Sequence, residues 1–361
     1  MKLVKPSFYI KEQEPGIQGI YKQIEWAGRH CYKSEDKITE DSAKGFVDRM
    51  VKSGHGAMLE HGTVYLRVED SGLLNAIENI SGKYKANKYS KVNTFITKES
   101  IAMCTTESFI MTNLRVLVEN GWMDDLKYIC EPTEYHEKRI TVHFVCDRGV
   151  SHEFVRHRTF SFAQESQRYC NYSKKKFGNE ITFIIPCWMN KVKEGYYDLD
   201  WDIVDGDGNS VSYPYPEDAK TVSFWYKHDN NDKPIHLTTE NLRDLCLSTL
   251  WNCEGTYLKL LDSGWTPQQA RAVLPNACKT ELVMTGFADD WWGEYLVIDK
   301  STGLIDQRIH GKFYTELNSI DRDKYRIVEK GFFPLRCSQG AHPSARELAV
   351  SLREEFIKRG Y

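Results

Sequence analysis

RHRTFSFAQESQRY, residues 156–169, sets Arg156, His157 and Arg158 in a row, then two serines, then Arg168. Like charges this close repel unless an anion sits among them. Arginine offers forked donors that match a phosphate or a planar base edge. Ser161, Gln164 and Ser166 add neutral donors. The bland alternative is a solvated basic face paired with Glu153 and Glu165. The serines and glutamine, set beside apolar Phe154, Val155 and Phe160, favour a ligand site instead. Ser151 is a plausible N-cap for a short helix over 152–158. On such a helix, residues 156–158 fan over about 200°. They then reach different parts of an extended anion rather than a single phosphate.

No global field supplies that anion. The chain has 361 residues, 41% hydrophobic and 27% charged, with a net charge of −3. This is the balance of a globular protein able to bury a large core. It gives no broad attraction to nucleic acid or to anionic membranes, so neither is expected as a partner. MKLVKPSFYI is broken by Lys5 and Pro6 and does not read as a signal peptide. No apolar run approaches the length of a spanning helix. The ten cysteines contain no CxxC pair; they read as reduced thiols in a cytoplasm. HEFVRH, residues 152–157, invites a zinc reading, but its histidines are five apart and diverge on a helix. No metal is expected. Glycine-rich phosphate loops are absent, so a Rossmann cofactor site is unsupported.

Along the chain, residues 40–54 have helical spacing and TVYLRVED (63–70) alternates like a strand. ESFIMTNLRVLVENG (107–121) reads as a helix stopped by glycine, and RITVHFVC (139–146) as a strand. Residues 241–262 form a long helix. In TPQQARAVLP (266–275), Thr266, Pro267 and Gln269 make a capping box with proline at the first helical position. LVMTGFADDWW (282–292) reads as helical, and residues 342–358 as an amphipathic helix. Two stretches look like insertions in a single catalytic domain: 193–238, polar and turn-rich, and 297–330, a hairpin about an STG turn.

The spacing Arg156-His157-Arg158, seven residues, Ser166, one residue, Arg168 resembles the signature of the flavin-dependent thymidylate synthases (the ThyX type). LEH before a strand, ARAVLP after a capped helix, and LR–x4–AH before the last helix resemble that family's other landmarks, in order. The resemblance covers about residues 15–190 and 240–361. It implies an α+β fold, a mixed sheet with packed helices, in a homotetramer with active sites at subunit interfaces. It implies conversion of dUMP to dTMP, with 5,10-methylenetetrahydrofolate as carbon donor and NADPH as reductant through FAD. By motif position, His61, Thr63, Arg156, His157, Arg158 and Gln164 match flavin contacts. Glu153 to Arg156, Gln164 to Arg168 (with Glu165, Ser166 and Gln167) and Arg271 match dUMP contacts. Arg336 matches the arginine that stabilises the ionised uracil N3. Ser166 is expected to bind phosphate rather than act as a nucleophile. The rivals are a dUMP hydroxymethylase on the same scaffold, and a non-catalytic flavin-, nucleotide- or RNA-binding protein.

Overall fold

The structure is a computed structural model that describes residues 1–72, 80–99, 104–174, 180–189, 191–204, 221–228, 231–238 and 242–361. Its strands run β1 (Lys2–Val4), β2 (Ser7–Lys11), β3 (Thr63–Gly72), β4 (Lys91–Glu99), β5 (Cys104–Asn113), β6 (Arg139–Asp147), β7 (Ser161–Gln164) and β8 (Thr182–Ile184). They continue with β9 (Gly195–Val204), β10 (Thr221–His228), β11 (Asn231–Thr238), β12 (Lys279–Phe287), β13 (Glu294–Asp299), β14 (Ile305–His310) and β15 (Tyr325–Lys330). The α-helices are α1 (Gly16–Tyr32), α2 (Ser42–Lys52), α3 (Gly56–Leu59), α4 (Ile80–Lys85), α5 (Leu114–Asn120) and α6 (Arg148–Phe154). After them come α7 (Leu242–Asp262), α8 (Pro267–Ala270), α9 (Ala288–Trp292), α10 (Phe332–Cys337) and α11 (Pro343–Arg359). The class is α+β, with helices interspersed among sheets whose ladders include the antiparallel pairs β3–β5, β4–β5, β7–β12 and β13–β14.

The chain folds as two compact units. The first comprises Met1–Ser7, Val145–Glu153 and Glu165–Thr280. It holds a mixed five-stranded sheet in the order β11-β10-β9-β1-β8, in which β1 pairs parallel with β8 and antiparallel with β9. Leu3 and Phe183 of this sheet share a core with Leu247, Leu250 and Tyr257 of α7. Residues 193–238, read as an insertion, contribute β9–β11; the stretch DGDGNS lies outside the described residues.

The second unit comprises Phe8–Phe144, Phe154–Gln164 and Glu281–Tyr361. Its sheets run β2-β6-β12-β7, β3-β5-β4 and β14-β13-β15. The helix expected over 107–121 is a helix only in its second half. Residues up to Asn113 are β5, the middle strand of its sheet, with Phe109, Ile110 and Met111 buried in succession. A strand covered on both faces loses its alternation and imitates other buried segments. Asn113 then accepts a hydrogen bond from the Val116 N–H at 3.2 Å and caps α5, which stops at Gly121 with φ +70°. The helix expected over 282–292 is likewise wrong for most of its length. Leu282 to Phe287 are the buried half of β12, and only Ala288–Trp292 is helical. The hairpin expected in 297–330 is present as β13 and β14, and β15 adds a third strand. Among the described residues, no helix is long and apolar enough to cross a membrane.

Candidate functional site

α6 begins at Arg148, earlier than the Ser151 cap predicts. Asp147 Oδ1 accepts from the Val150 N–H at 2.7 Å, while Ser151 lies inside the helix with its hydroxyl on the Arg148 carbonyl. The helix ends at Phe154, so Arg156, His157 and Arg158 lie on a turn and do not fan around a helix. The His157 N–H donates to the Phe154 carbonyl at 3.1 Å, and the Phe160 N–H to the His157 carbonyl at 3.2 Å. Phe154 and Phe160 are buried and pin the turn at both ends. In consequence the trio alternates: Arg156 and Arg158 face solvent, while His157 is buried.

His157 meets Arg336, whose Nε donates to His157 Nε2 at 2.9 Å. A guanidinium can only donate, so this nitrogen carries the lone pair and the imidazole proton sits on Nδ1. The His157 ring lies 5.2 Å from Phe332, in a cluster with Phe144, Phe154, Phe160 and Trp291. Phe332 opens α10, the helix that carries Arg336. Gly286 on β12 allows Phe160 to approach: a Cβ there would lie 2.3 Å from the phenyl ring. Beside His157 and Arg158 lies a cavity of about 500 Å³, bordered also by Asp290, His310, Lys330 and Gly331.

His61 and Thr63 stand at the start of β3, in a second polar set of the same unit. His61 is fully buried with Nδ1 2.9 Å from the Thr285 hydroxyl, which in turn meets Thr141 at 2.8 Å. Burial, reinforced by the Arg139 guanidinium, pulls the His61 pKa down to about 3, so the ring is neutral. Arg139 donates to the Glu60 carbonyl at 3.1 Å and lies 3.4 Å from the Thr63 hydroxyl and 3.5 Å from that of Ser161. Gln13 brackets Thr63, its amide accepting from the Thr63 N–H and donating to the carbonyl, both at 2.8 Å. Thr63 and Arg139 border a cavity of about 270 Å³. Arg139 and Gln13 were missed from sequence. Arg139 opens an alternating strand and reads as its solvated end, and Gln13 belongs to no motif. Gln164, at the end of β7, is half-buried with its carbonyl accepting from Cys31 Sγ at 2.9 Å.

The remaining expected residues, Glu153, Glu165, Ser166, Gln167, Arg168 and Arg271, belong to the first unit. Glu153 is half-buried on the last turn of α6. Glu165 is buried, accepting from the Tyr172 hydroxyl at 2.8 Å and paired with Lys279 at 3.3 Å. The buried Tyr172 phenol beside that carboxylate is held well above its usual pKa. The Ser166 carbonyl accepts from the N–H groups of Tyr169 and Cys170, closing a turn. Gln167 is buried in that turn and its Nε2 has no partner. Arg168 is exposed and donates from Nε to Gln268 at 3.0 Å. Gln268 lies on α8, whose predicted capping box of Thr266 and Gln269 is present, and Arg271 follows directly as that helix's C-cap. Residues 165–168 and α8 are therefore tied together within this unit.

The exposed guanidiniums of Arg156 and Arg158 on this turn are donors of the kind an extended, anionic cofactor such as a flavin dinucleotide requires. Of the trio, His157 and Arg158 border the 500 Å³ cavity, where Lys330 and His310 stand among the carboxylates of Asp289, Asp290 and Glu294 and the bare backbone of Gly293 and Gly331 leaves room.

The family model described as "Thymidylate synthase complementing protein" matches residues 132–296. A flavin-dependent thymidylate synthase of Geobacter sulfurreducens is 26% identical over 138 residues, which is 38% of this chain. The chain spans 38% of that relative's length. Among solved structures, a UMP/dUMP methylase, PolB, of Streptomyces cacaoi bound with 5-Br dUMP is 14% identical. The alignment covers 99% of this chain and 93% of that one, at a TM-score of 0.35. A second PolB structure, bound with 5-Br UMP, is 13% identical over 81% of this chain and 76% of that one, at a TM-score of 0.29. At those scores the likeness carries nothing about this chain's chemistry. The motif at 156–168 lies inside the matched stretch, so residues 132–296 are similar to the thymidylate synthase complementing protein family, and the relative that shares part of the chain is a flavin-dependent thymidylate synthase.

Proposed function

We propose that the protein is a flavin-dependent thymidylate synthase. It methylates dUMP to dTMP, taking the carbon from 5,10-methylenetetrahydrofolate and reducing equivalents from NADPH. The observation that carries this reading is the pairing of Arg336 with His157 in the turn of the family motif. His61, Thr63, Arg156, His157, Arg158 and Gln164 are the residues that would hold FAD. Bound there, the flavin supplies two-electron chemistry that no side chain can. Glu153, Arg156, Gln164, Glu165, Ser166, Gln167, Arg168 and Arg271 are assigned to dUMP.

Arg336 is assigned to the uracil ring. As N3 loses its proton, negative charge spreads towards C5, which becomes the better carbon nucleophile. A guanidinium already fixed in place stabilises that charge without reorganising at the moment of reaction. The His157 lone pair holds the Arg336 Nε proton and so sets the plane of the fork. Ser166 serves the nucleotide phosphate as a neutral donor, and Arg168 and Arg271 supply charge. The active assembly is a homotetramer in the cytoplasm. Among the described residues, the thiols of Cys130, Cys146, Cys246, Cys253, Cys278 and Cys337 stand outside any disulfide, which accords with a reducing compartment. Residues 1–361 act as one catalytic domain, with 193–238 and 297–330 as its insertions.

The test is a mass-resolved product assay with FAD, dUMP, methylenetetrahydrofolate and NADPH, each omitted in turn. dTMP that requires all four supports the reading. Hydroxymethyl-dUMP would assign the hydroxymethylase chemistry instead, and no nucleotide product would remove the assignment. Gel filtration reads the tetramer.

A further inference from the structure

Away from the residues assigned above, α1, β6 and β12 bring His30, His143 and Glu281 together within the second unit. One ring nitrogen from each histidine and a carboxylate oxygen of Glu281 all lie within 4.8 Å of one another. His143 is buried, with Nε2 3.0 Å from Glu281 and with no partner at Nδ1. His30 has Nδ1 on the Trp26 carbonyl at 2.8 Å. That bond fixes the tautomer and leaves the lone pair on Nε2, the usual outer-shell arrangement of a metal-binding histidine. Tyr9 and Trp26 pack against His143 at 5.0 and 5.9 Å and form an apolar wall.

We propose that His30, His143 and Glu281 bind one divalent transition-metal ion of the zinc type, and that the Lys33 ammonium, which pairs with Glu281, holds the ion's place until it arrives. Two imidazoles and a carboxylate suit zinc among the common divalent ions. Ligand atoms around tetrahedral zinc stand about 3.3 Å apart, from bond lengths of about 2.0–2.1 Å. The His143–Glu281 contact is already near that value. Lys33 is well placed to yield, since it ends α1 with φ +48°, a left-handed conformation rare for a non-glycine residue. No sequence motif announces the site, because its residues come from three elements joined only by the fold. It is independent of the thymidylate reading.

The test is to strip the full-length protein with a chelator and titrate it with Zn²⁺ by calorimetry, and with Co²⁺ by visible absorption. The expected result is one equivalent bound, a tetrahedral cobalt spectrum and a raised Tm with zinc. Binding should weaken at least about tenfold in His30→Gln and in His143→Ala. Lys33→Met removes the internal competitor and should bind tighter. No stoichiometric binding, or binding that is equal in both histidine variants and in Lys33→Met, would overturn the site. The lysine variant reads as a gain, so misfolding of a histidine variant cannot mimic support.

Discussion

Arg336 and Arg168 make nearly the same hydrogen bond, each through Nε, at 2.9 and 3.0 Å, yet in different settings. Arg336 is half-buried on α10 and its acceptor is a buried imidazole. Arg168 is exposed on a turn and its acceptor is the amide of Gln268. A hydrogen bond in a poorly solvated place is electrostatically stronger and holds its geometry; one at the surface competes with water. The first arrangement suits a charge that must be aimed before the reaction begins. The second suits a charge that adapts to a ligand as it docks. On the proposed assignment the two arginines divide between catalysis and binding, and four measurements can break or sharpen that division.

The largest effect is expected from Phe332→Ala. This ring is fully buried against His157, Phe154 and Trp291. Its loss should destabilise the protein by about 3–5 kcal/mol in denaturant melts. A change below about 1 kcal/mol would mean that the ring cluster does not hold the Arg336 side rigid.

Arg336→Ala should lower kcat by about 10²–10³-fold while flavin content, read by absorbance, stays within twofold (roughly) of the parent. Unchanged turnover would remove the catalytic assignment.

His61 tests the buried polar set by pH. Its folded pKa of about 3 lies below the usual histidine value of 6.5. Between those values the unfolded chain binds a proton that the native protein does not. Stability from this group is therefore complete above pH 6.5 and lost as pH falls towards 3. Relative to His61→Gln, the parent should lose about 2 kcal/mol more between about pH 6.5 and pH 5. Parallel stability curves would show His61 to be solvated.

The smallest effect is expected from Arg168→Ala. It should leave Tm nearly unchanged, as surface substitutions do, and raise KM for dUMP about tenfold with little change in kcat. A kcat loss equal to that of Arg336→Ala would erase the distinction.

What could be read from the sequence follows the range of the interactions involved. The capping box at Thr266 and Gln269 is local and was legible. So was the motif spacing from Arg156 to Arg168, because the turn and β7 are contiguous in sequence. Segments 107–113 and 282–287 misled because central strands buried on both faces carry no alternation. Ser151 misled because α6 follows β6 without a loop, so the cap falls to Asp147 at the strand's last position. Arg139 and Gln13 gain their meaning only from partners distant in sequence, such as Thr63 and Ser161.

Gly293 and Gly331 lie at the root of the β13–β15 sheet with φ +62° and +88°. A Cβ on Gly293 would stand 2.1 Å from the Lys330 carbonyl oxygen, and one on Gly331 would stand 2.4 Å from the Gly293 Cα. Gly311, which follows β14 at the same root and donates its N–H to the Gly293 carbonyl at 2.8 Å, would press a Cβ to within 1.7 Å of the Trp292 carbonyl oxygen. Gly303 at the tip has nothing within 4 Å. The sheet is thus hinged to the start of α10 by bare backbone and open at its far end. For protein engineering this makes the 301–303 turn a port: a peptide tag or reporter can be grafted there, while any side chain added at the root would shift the helix that carries Arg336.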